Sequence, residues 1–162
     1  MIQNFIIAFD PNRLQKGEIF LNKLKDCFEK KFLVRTRPEP ELAKKSLKRG
    51  LATIEDVPKA LKADLDELAE QRLYQSVFHG VKALLYKDGI KERSHICVSL
   101  YFKETYQKFF SKDLLTLLDR LRDVRHESQY GLDAVAMNSE QIQNWLAEAE
   151  QLLKVISQLL KS

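Results

Sequence analysis

The sequence contains little of what unusual or very small proteins depend on. Its 162 residues include only 2 cysteines, 5 glycines and 4 prolines, which excludes disulfide-rich scaffolds, collagen-like chains and low-complexity chains. No apolar run approaches the roughly 18 to 20 residues that a membrane helix needs. Hydrophobic residues make up 44% and charged residues 31% of the chain, a balance typical of one globular domain of ordinary size.

The few cysteines and histidines also bear on location and metal content. Cys27 and Cys97 are too few for a disulfide scaffold and lack zinc-site spacing, so we expect buried free thiols in a reducing cytosol. The apolar stretch at residues 5–9 is not preceded by basic residues and is followed directly by Asp10. This predicts a cytoplasmic protein without membrane attachment. The three histidines and two cysteines never occur at ligand spacing, so we expect no metal site and no cofactor.

Positive charge is concentrated at the front of the chain. Residues 1–50 carry 12 lysines and arginines against 6 acidic residues, whereas the remaining residues carry 15 against 17. An RNA or phosphate partner would fit this excess, and so would a solvated basic helix face that binds nothing. The charge distribution therefore leaves both interpretations open.

Helical periodicity dominates the sequence. Apolar residues recur at intervals of three and four, which predicts an all-α protein, an antiparallel up-and-down bundle of about five helices with an added N-terminal helix. A wide apolar stripe predicts that the helix over residues 61–87 is central and ends before Gly89. We expect Pro58 to end the preceding helix, and Ser94 and Asn138 to cap the N-termini of two later ones.

Two regions are predicted along the chain. Residues 1–38 form an N-terminal helical extension that begins at Asp10-Pro11 and ends near Lys31, and residues 39–162 form the bundle. The extension carries an apolar face that we expect to pack on the bundle, made of Leu14, Leu21, Leu24 and Phe28.

One segment, residues 119–131, stands out for its chemistry. The chain contains no GxGxxG, P-loop, HExxH or GxSxG motif, so common enzyme signatures are absent. On a regular helix one face of this segment carries Asp119, Arg122, His126 and Tyr130. Arginine can hold a phosphate through two hydrogen bonds while histidine exchanges a proton near neutral pH. The alternative is a solvated ion-pair network, with His126 packed against a neighbouring helix.

A second polar set lies on the predicted central helix. Arg72, Ser76, His79 and Tyr86 fall along a face roughly opposite its apolar stripe. If that face meets the Arg122 and His126 line, a polar cleft forms between two helices. For His95, which follows Ser94, we expect capping or a buried hydrogen bond.

The sequence resembles the HEPN domain proteins of prokaryotes over roughly residues 39–160. The resemblance rests on an ordered series of short pieces: Pro40-Glu41-Leu42-Ala43, Leu73-Tyr74, Phe78-His79, Ala83-Leu84-Leu85, Gly89, Glu92-Arg93-Ser94-His95, Arg122, Arg125-His126 and Tyr130-Gly131. It implies a helical bundle that is usually a homodimer and is often encoded beside a minimal nucleotidyltransferase in a toxin and antitoxin pair. Residues 1–38 lie outside it.

The resemblance also implies a set of site residues. Many HEPN proteins are metal-independent ribonucleases with an Arg-x4-6-His motif, and here five residues separate Arg120 from His126. Active members usually have a polar residue after the arginine, but here Leu121 follows Arg120. Arg122 is followed by the polar Asp123, but only three residues separate it from His126. The candidate catalytic residues are Arg120, Arg122 and His126, and the candidate binding or orienting residues are Asp119, Asp123, Tyr130, Arg72 and His79.

Three functional hypotheses follow. The first is a toxin-type ribonuclease that uses Arg120 or Arg122 with His126. The second is a non-catalytic module that binds a nucleotide or a nucleotidyltransferase partner in the same cleft. The third is a plain helical dimerisation protein whose polar line is an ion-pair network.

Overall fold

The computed structural model describes residues 23–132 and 137–162. Residues 23–29 are helical and are named α1. The later elements are β1 (Leu33–Arg35), α2 (Pro40–Ile54), α3 (Asp56–Lys62), α4 (Asp66–Lys87), β2 (Ile90–Glu92), α5 (His95–Tyr106), α6 (Lys112–Tyr130) and α7 (Ser139–Leu159). The predicted helix start at Asp10-Pro11 and the side chains of Leu14 and Leu21 lie outside the described residues.

The predicted all-α fold is confirmed, with α4 at its centre. This helix packs against α2, α3, α5, α6 and α7, and it buries side chains such as Leu73, Val77 and Leu84 completely. Removing this apolar surface from water is the main stabilising contribution to the bundle. At Gly50 of α2, a β-carbon would lie 2.9 Å from the backbone oxygen of Ser76, so the absence of a side chain allows α2 and α4 to approach closely.

Helix ends agree with the sequence prediction in three places. The Ser94 hydroxyl accepts a hydrogen bond from the Cys97 N–H at 3.4 Å, and the Asn138 side chain accepts one from the Gln141 N–H at 2.9 Å. Gly89, with φ of 71°, follows the end of α4 in the left-handed conformation that glycine adopts easily.

Two predicted boundaries are wrong. Pro58 does not end a helix: α2 ends at Ile54, and Pro58 lies in the first turn of α3, where its missing N–H has no helical partner to lose. The central helix begins at Asp66 rather than near residue 61, because Asp64 has a φ of 54° and turns the chain between α3 and α4.

A short antiparallel sheet was not anticipated. Strand β1 pairs with β2, with Leu33 opposite Glu92 and Arg35 opposite Ile90. Each strand has three residues, too few to show an alternating pattern in the sequence. The pairing joins the segment before α2 to the turn after α4.

The expectation of free thiols is wrong. Cys27 of α1 and Cys97 of α5 are both buried, as predicted, but they form a disulfide across 70 residues of sequence. Tertiary packing brings them together, since the Phe28 ring lies 6.4 Å from that of Tyr101 on α5. Disulfides are typical of oxidising compartments, so the cysteines no longer support a cytosolic location.

No helix within the described ranges is both long enough and apolar enough to cross a membrane.

Candidate functional site

Helix α6 carries the predicted polar line on one continuous face. Ser111 caps its N-terminus by accepting from the Leu114 N–H, and the helix runs unbroken from Lys112 to Tyr130. Residues three or four apart therefore share a face throughout, and the predicted alignment of Asp119, Arg122, His126 and Tyr130 is present.

Asp119 is the best-held member of the line. Its carboxylate accepts hydrogen bonds from Lys103 of α5 at 2.5 Å and from Arg122 at 2.8 Å. Burial alone would raise the pKa of Asp119, but the Lys103 hydrogen bond and the charges of Lys103 and Arg122 lower it below its ordinary value. Asp119 is therefore an ionised anchor that ties α6 to α5 and orients Arg122.

Arg122 is oriented by two carboxylates. One terminal nitrogen of Arg122 donates to Asp119. Its Nε and its other terminal nitrogen donate to one oxygen of Asp123, at 3.3 and 3.0 Å. The Asp123 side chain is 70% exposed, and ion pairs with such exposed partners contribute little free energy. A phosphate can replace Asp123 on the guanidinium while Asp119 keeps it in place.

His126 lies one turn further along the same face and is exposed. Its ring centroid lies 5.3 Å from that of Tyr130, which is also exposed. No side chain within the described ranges forms a hydrogen bond with the His126 imidazole. Because the side chain is exposed, the packing against a neighbouring helix that the alternative interpretation required is absent for it.

Arg120 lies on a different side of α6. Its guanidinium forms an ion pair with Glu148 of α7, lies 4.8 Å from the centroid of the Trp145 ring and donates to the Asp113 carbonyl oxygen at 3.0 Å. Two residues rotate a helix by about 200°, and α6 does not loosen before Tyr130. Arg120 therefore faces α7, and the structure does not bring it together with His126.

The second predicted set faces α2 rather than the α6 line. Ser76 is fully buried and donates to the Gly50 carbonyl oxygen at 3.0 Å, and the His79 carbonyl oxygen accepts from Ser46 of α2 at 2.8 Å. Arg72 donates to Gln75 on its own helix. The condition for a shared cleft with Arg122 and His126 is not met.

A cluster that the sequence did not indicate faces α6 instead. It joins α4, α5 and α6: the Tyr74 hydroxyl lies 2.6 Å from His95 Nδ1, and the Arg125 guanidinium lies 4.7 Å from the Tyr74 ring centroid. The Phe78 and His95 ring centroids are 4.2 Å apart. His95 thus forms a hydrogen bond, although the residue is exposed and not buried as predicted, and it lies beside the basic face of α6.

Burial keeps both partners of this hydrogen bond neutral near pH 7. Burial raises the pKa of Tyr74, although the charges of Arg125 and Arg122 oppose the shift. Burial also lowers the pKa of His95. The charge of Glu92 opposes this shift, and the charges of Arg125, Lys82 and Arg122 add to it, with Arg125 the largest of the three. A protonated phenol that donates to Nδ1 leaves the imidazole proton on Nε2.

The sequence pattern could not have revealed this cluster by itself. Tyr74 and Phe78 follow the helical spacing of the apolar stripe, so the pattern assigns them to the core. Arg125 follows Arg122 by three residues, which places it near the same face of α6. The contact between that face and His95 depends on helix packing rather than on local spacing.

Within residues 23–132 and 137–162, no group of three or more histidine, cysteine, aspartate or glutamate side chains could hold a metal ion.

Comparison with known proteins adds two findings. A family model described as the HEPN domain matches residues 43–159. The chain is also similar to a UPF0332 protein of Thermotoga maritima, with 27% identity over 116 residues that cover 70% of this chain and 87% of that protein.

Proposed function

Because the chain belongs to the HEPN domain family, we propose that it acts on RNA as a metal-independent endoribonuclease. The observation that carries the proposal is the placement of the partly buried Arg122 and the exposed His126 one turn apart on one face of α6. Arg125 and His95 border this face. A concentration of cationic and imidazole groups on an open surface suits a phosphodiester.

The proposed reaction is attack of a ribose 2′-oxygen on the adjacent phosphorus. His126 accepts the 2′-hydroxyl proton, the bond between phosphorus and the 5′-oxygen breaks, and that oxygen leaves with a proton from an imidazolium. The products are a 2′,3′-cyclic phosphate and a free 5′-hydroxyl. Arg122 neutralises the charge that develops on the pentavalent phosphate.

One imidazole cannot be the base and the acid in the same step. We propose that a second copy of the chain supplies a second Arg122 and His126 pair, so that the active species is a homodimer. Light scattering at micromolar concentration should report about twice the 18.9 kDa of one chain. A stable monomer that cleaves RNA would contradict the composite site.

The phosphate-binding residue in this proposal is Arg122. Arg120 has the family spacing to His126, but its guanidinium is committed to Glu148 and Trp145 on α7. Asp119 and Asp123 orient Arg122, and Tyr130 lies beside His126. Arg72, which donates to Gln75 on its own helix, and His79, which lines a cavity with residues of α2, receive no part in the cleavage step.

The test uses the full-length protein and single-stranded RNA in EDTA, with DNA of the same sequence as the control. We expect cleavage of RNA, no cleavage of DNA, and products that end in a cyclic phosphate. The rate should vary with pH, because the proposed step needs one neutral and one protonated imidazole. Intact RNA after prolonged incubation, or cleavage that requires a divalent metal, would contradict the proposal.

The cellular role we propose is that of the toxin in a pair with a minimal nucleotidyltransferase, in the cytoplasm, where RNA is available. Expression in a bacterial host should inhibit growth, and His126→Ala should restore it. The Cys27–Cys97 disulfide opposes this location, since cytosolic thiols are kept reduced. Alkylation of free thiols in freshly lysed cells tests the location, because a bonded pair would contradict a cytoplasmic role.

A second candidate function is a non-catalytic module that binds a nucleotide or a nucleotidyltransferase. It is favoured by the state of the two arginines, since Arg120 is locked against α7 and Arg122 is occupied by two carboxylates. Retention of a nucleotide or nucleotidyltransferase by a protein that leaves RNA intact would support this function. If neither is retained and alanine variants only change stability, the polar line is a structural ion-pair network.

A further inference from the structure

A basic groove lies between α2 and α4, apart from the α6 line. Its cavity has a volume of about 220 Å³, and its lining includes Lys45, Ser46 and Arg49 from α2 and His79, Lys82 and Tyr86 from α4. No aspartate or glutamate lines it. Two helices thus direct cations at one space that is suited to an anionic group.

The two groove cations on α2 have no acidic partner among the described residues. Lys45 and Arg49 are exposed and form no ion pair with another described residue. By contrast, Lys44 on the same helix is paired with Glu41 at 3.0 Å. Two unpaired cations one turn apart can bind phosphate without first releasing a carboxylate.

The α4 side of the groove is more rigid. Lys82 is held by Glu92 at 2.5 Å; burial lowers the pKa of Lys82, but Glu92 and Tyr86 raise it above its ordinary value, so the ammonium stays charged. Burial, together with the charges of Lys82 and Arg49, lowers the pKa of His79. His79 is therefore a neutral hydrogen-bonding group at neutral pH rather than a further charge.

Phe78 connects this groove to the face of α6. Its ring centroid lies 6.1 Å from that of His79, 5.9 Å from Lys82 Nζ and 4.2 Å from the His95 ring centroid. The Tyr74 ring centroid lies 6.0 Å from that of Phe78, and the Arg125 guanidinium lies over the Tyr74 ring. Phe78 therefore lies between the groove and the cluster of Tyr74, His95 and Arg125 beside α6.

We propose that a single strand of RNA follows this path, with its phosphates on Arg49 and Lys45 in the groove and a base on the exposed part of Phe78. The combination of a cationic groove with aromatic surfaces is how proteins bind single-stranded nucleic acid without reading its sequence. The inference rests on the proposed function for the direction of the strand, because that function places the scissile phosphate at Arg122.

The test measures binding of a fluorescent 2′-O-methyl RNA of about 16 nucleotides, which lacks the 2′-hydroxyl and cannot be cleaved. The groove variant is Lys45→Ala with Arg49→Ala. The matched control is Lys44→Ala with Lys48→Ala, which removes the same charge at the same spacing on α2 from side chains that do not line the groove. Thermal unfolding of both variants confirms that each is folded.

We expect the groove variant to bind about 10-fold more weakly and to lower the slope of log Kd against log salt by about 1.4, or 0.7 for each lost phosphate contact. The control should bind within about twofold of the wild-type protein. Equal weakening by both variants, unchanged binding by the groove variant, or no binding by the wild-type protein would overturn the path.

The two proposals can fail separately. Binding that depends on Lys45 and Arg49, without any cleavage of ordinary RNA, would support the path and contradict the ribonuclease. Cleavage of RNA with unchanged binding by the groove variant would support the ribonuclease and contradict the path. Restoration of affinity by Arg49→Lys in place of Arg49→Ala would show that positive charge in the groove, rather than helix stability, accounts for the effect.

Discussion

Helix α6 presents two arginines, two residues apart, that are similarly exposed but have different partners: 31% of the Arg120 side chain and 27% of the Arg122 side chain is exposed. Arg120 faces α7, where it contacts Glu148 and Trp145, and its Nε is buried without a hydrogen-bond partner. Arg122 shares a face of α6 with His126 and is held by Asp119 and by the exposed Asp123, of which a phosphate can displace Asp123. We expect the partners of an arginine, and not only its spacing from a histidine in the sequence, to decide whether it can bind a phosphate.

The largest effect is expected from Arg122→Ala. Loss of a group that stabilises transition-state charge typically lowers kcat about 100- to 1,000-fold. Because its ion pairs are partly exposed, stability should change by less than about 1 kcal/mol. Steady-state cleavage of RNA and urea unfolding of the same preparation provide both numbers. Wild-type activity in a folded Arg122→Ala protein would remove the distinction between the two arginines.

Removal of the disulfide should affect stability but not the open face of α6. Cys27→Ser should lower the free energy of unfolding by about 2–4 kcal/mol, because the bond restricts the unfolded chain across a long loop. Urea unfolding without reductant measures the loss, and wild-type protein in dithiothreitol should unfold like the variant. The cleavage rate per folded molecule should stay the same, and a parallel loss of activity would show that α1 supports the site.

Arg120→Ala should produce the opposite pattern to Arg122→Ala, at a smaller magnitude. Loss of one partly exposed ion pair and one cation–π contact should cost about 1–2 kcal/mol of stability. The cleavage rate should remain within about twofold of wild type, since Arg120 faces α7. Glu148→Gln, which keeps the volume, is the control for the ion pair. A loss of activity equal to that of Arg122→Ala would identify Arg120, through the family spacing, as the phosphate-binding arginine.

The smallest effect concerns pH and sharpens the role of His95 beside α6. Because its pKa is lowered in the folded protein, protonation below the ordinary value of about 6.5 favours the unfolded chain. The stability that neutral His95 contributes is fully present above about pH 6.5. It is lost as the pH falls through the pKa that His95 has in the folded protein. Unfolding free energies at about pH 7.5 and 5.5 should therefore differ less for His95→Gln than for the wild-type protein. An equal difference would show that other groups cause the change.

Features set by the local sequence pattern could be predicted, and features set by tertiary packing could not. The helices, the caps at Ser94 and Asn138 and the shared face of Arg122 and His126 follow from spacings of three and four residues, which the sequence displays directly. The disulfide and the β1–β2 pair join residues far apart in the chain, and neither leaves a local signature. The contact of His95 with Tyr74 likewise depends on how α4 and α5 pack.

The same reasoning applies to the two arginines. Helical geometry predicts that Arg122 rather than Arg120 shares a face with His126, and the structure confirms this placement. The partners of Arg120, Glu148 and Trp145, lie on α7 and could not be inferred from the sequence of α6. Family spacing joins Arg120 to His126, whereas the geometry of α6 joins Arg122 to His126, and the activities of the two alanine variants decide between them.

The central claim, that the open face of α6 is functional, is tested most directly by cleavage of single-stranded RNA in EDTA by wild-type and His126→Ala proteins. We predict that the wild-type protein cleaves and that the variant loses at least about 100-fold in rate. Its unfolding curve should be unchanged, because the imidazole is exposed and forms no hydrogen bond with a described side chain. Equal cleavage by the two proteins, or none by the wild-type protein, would contradict the account.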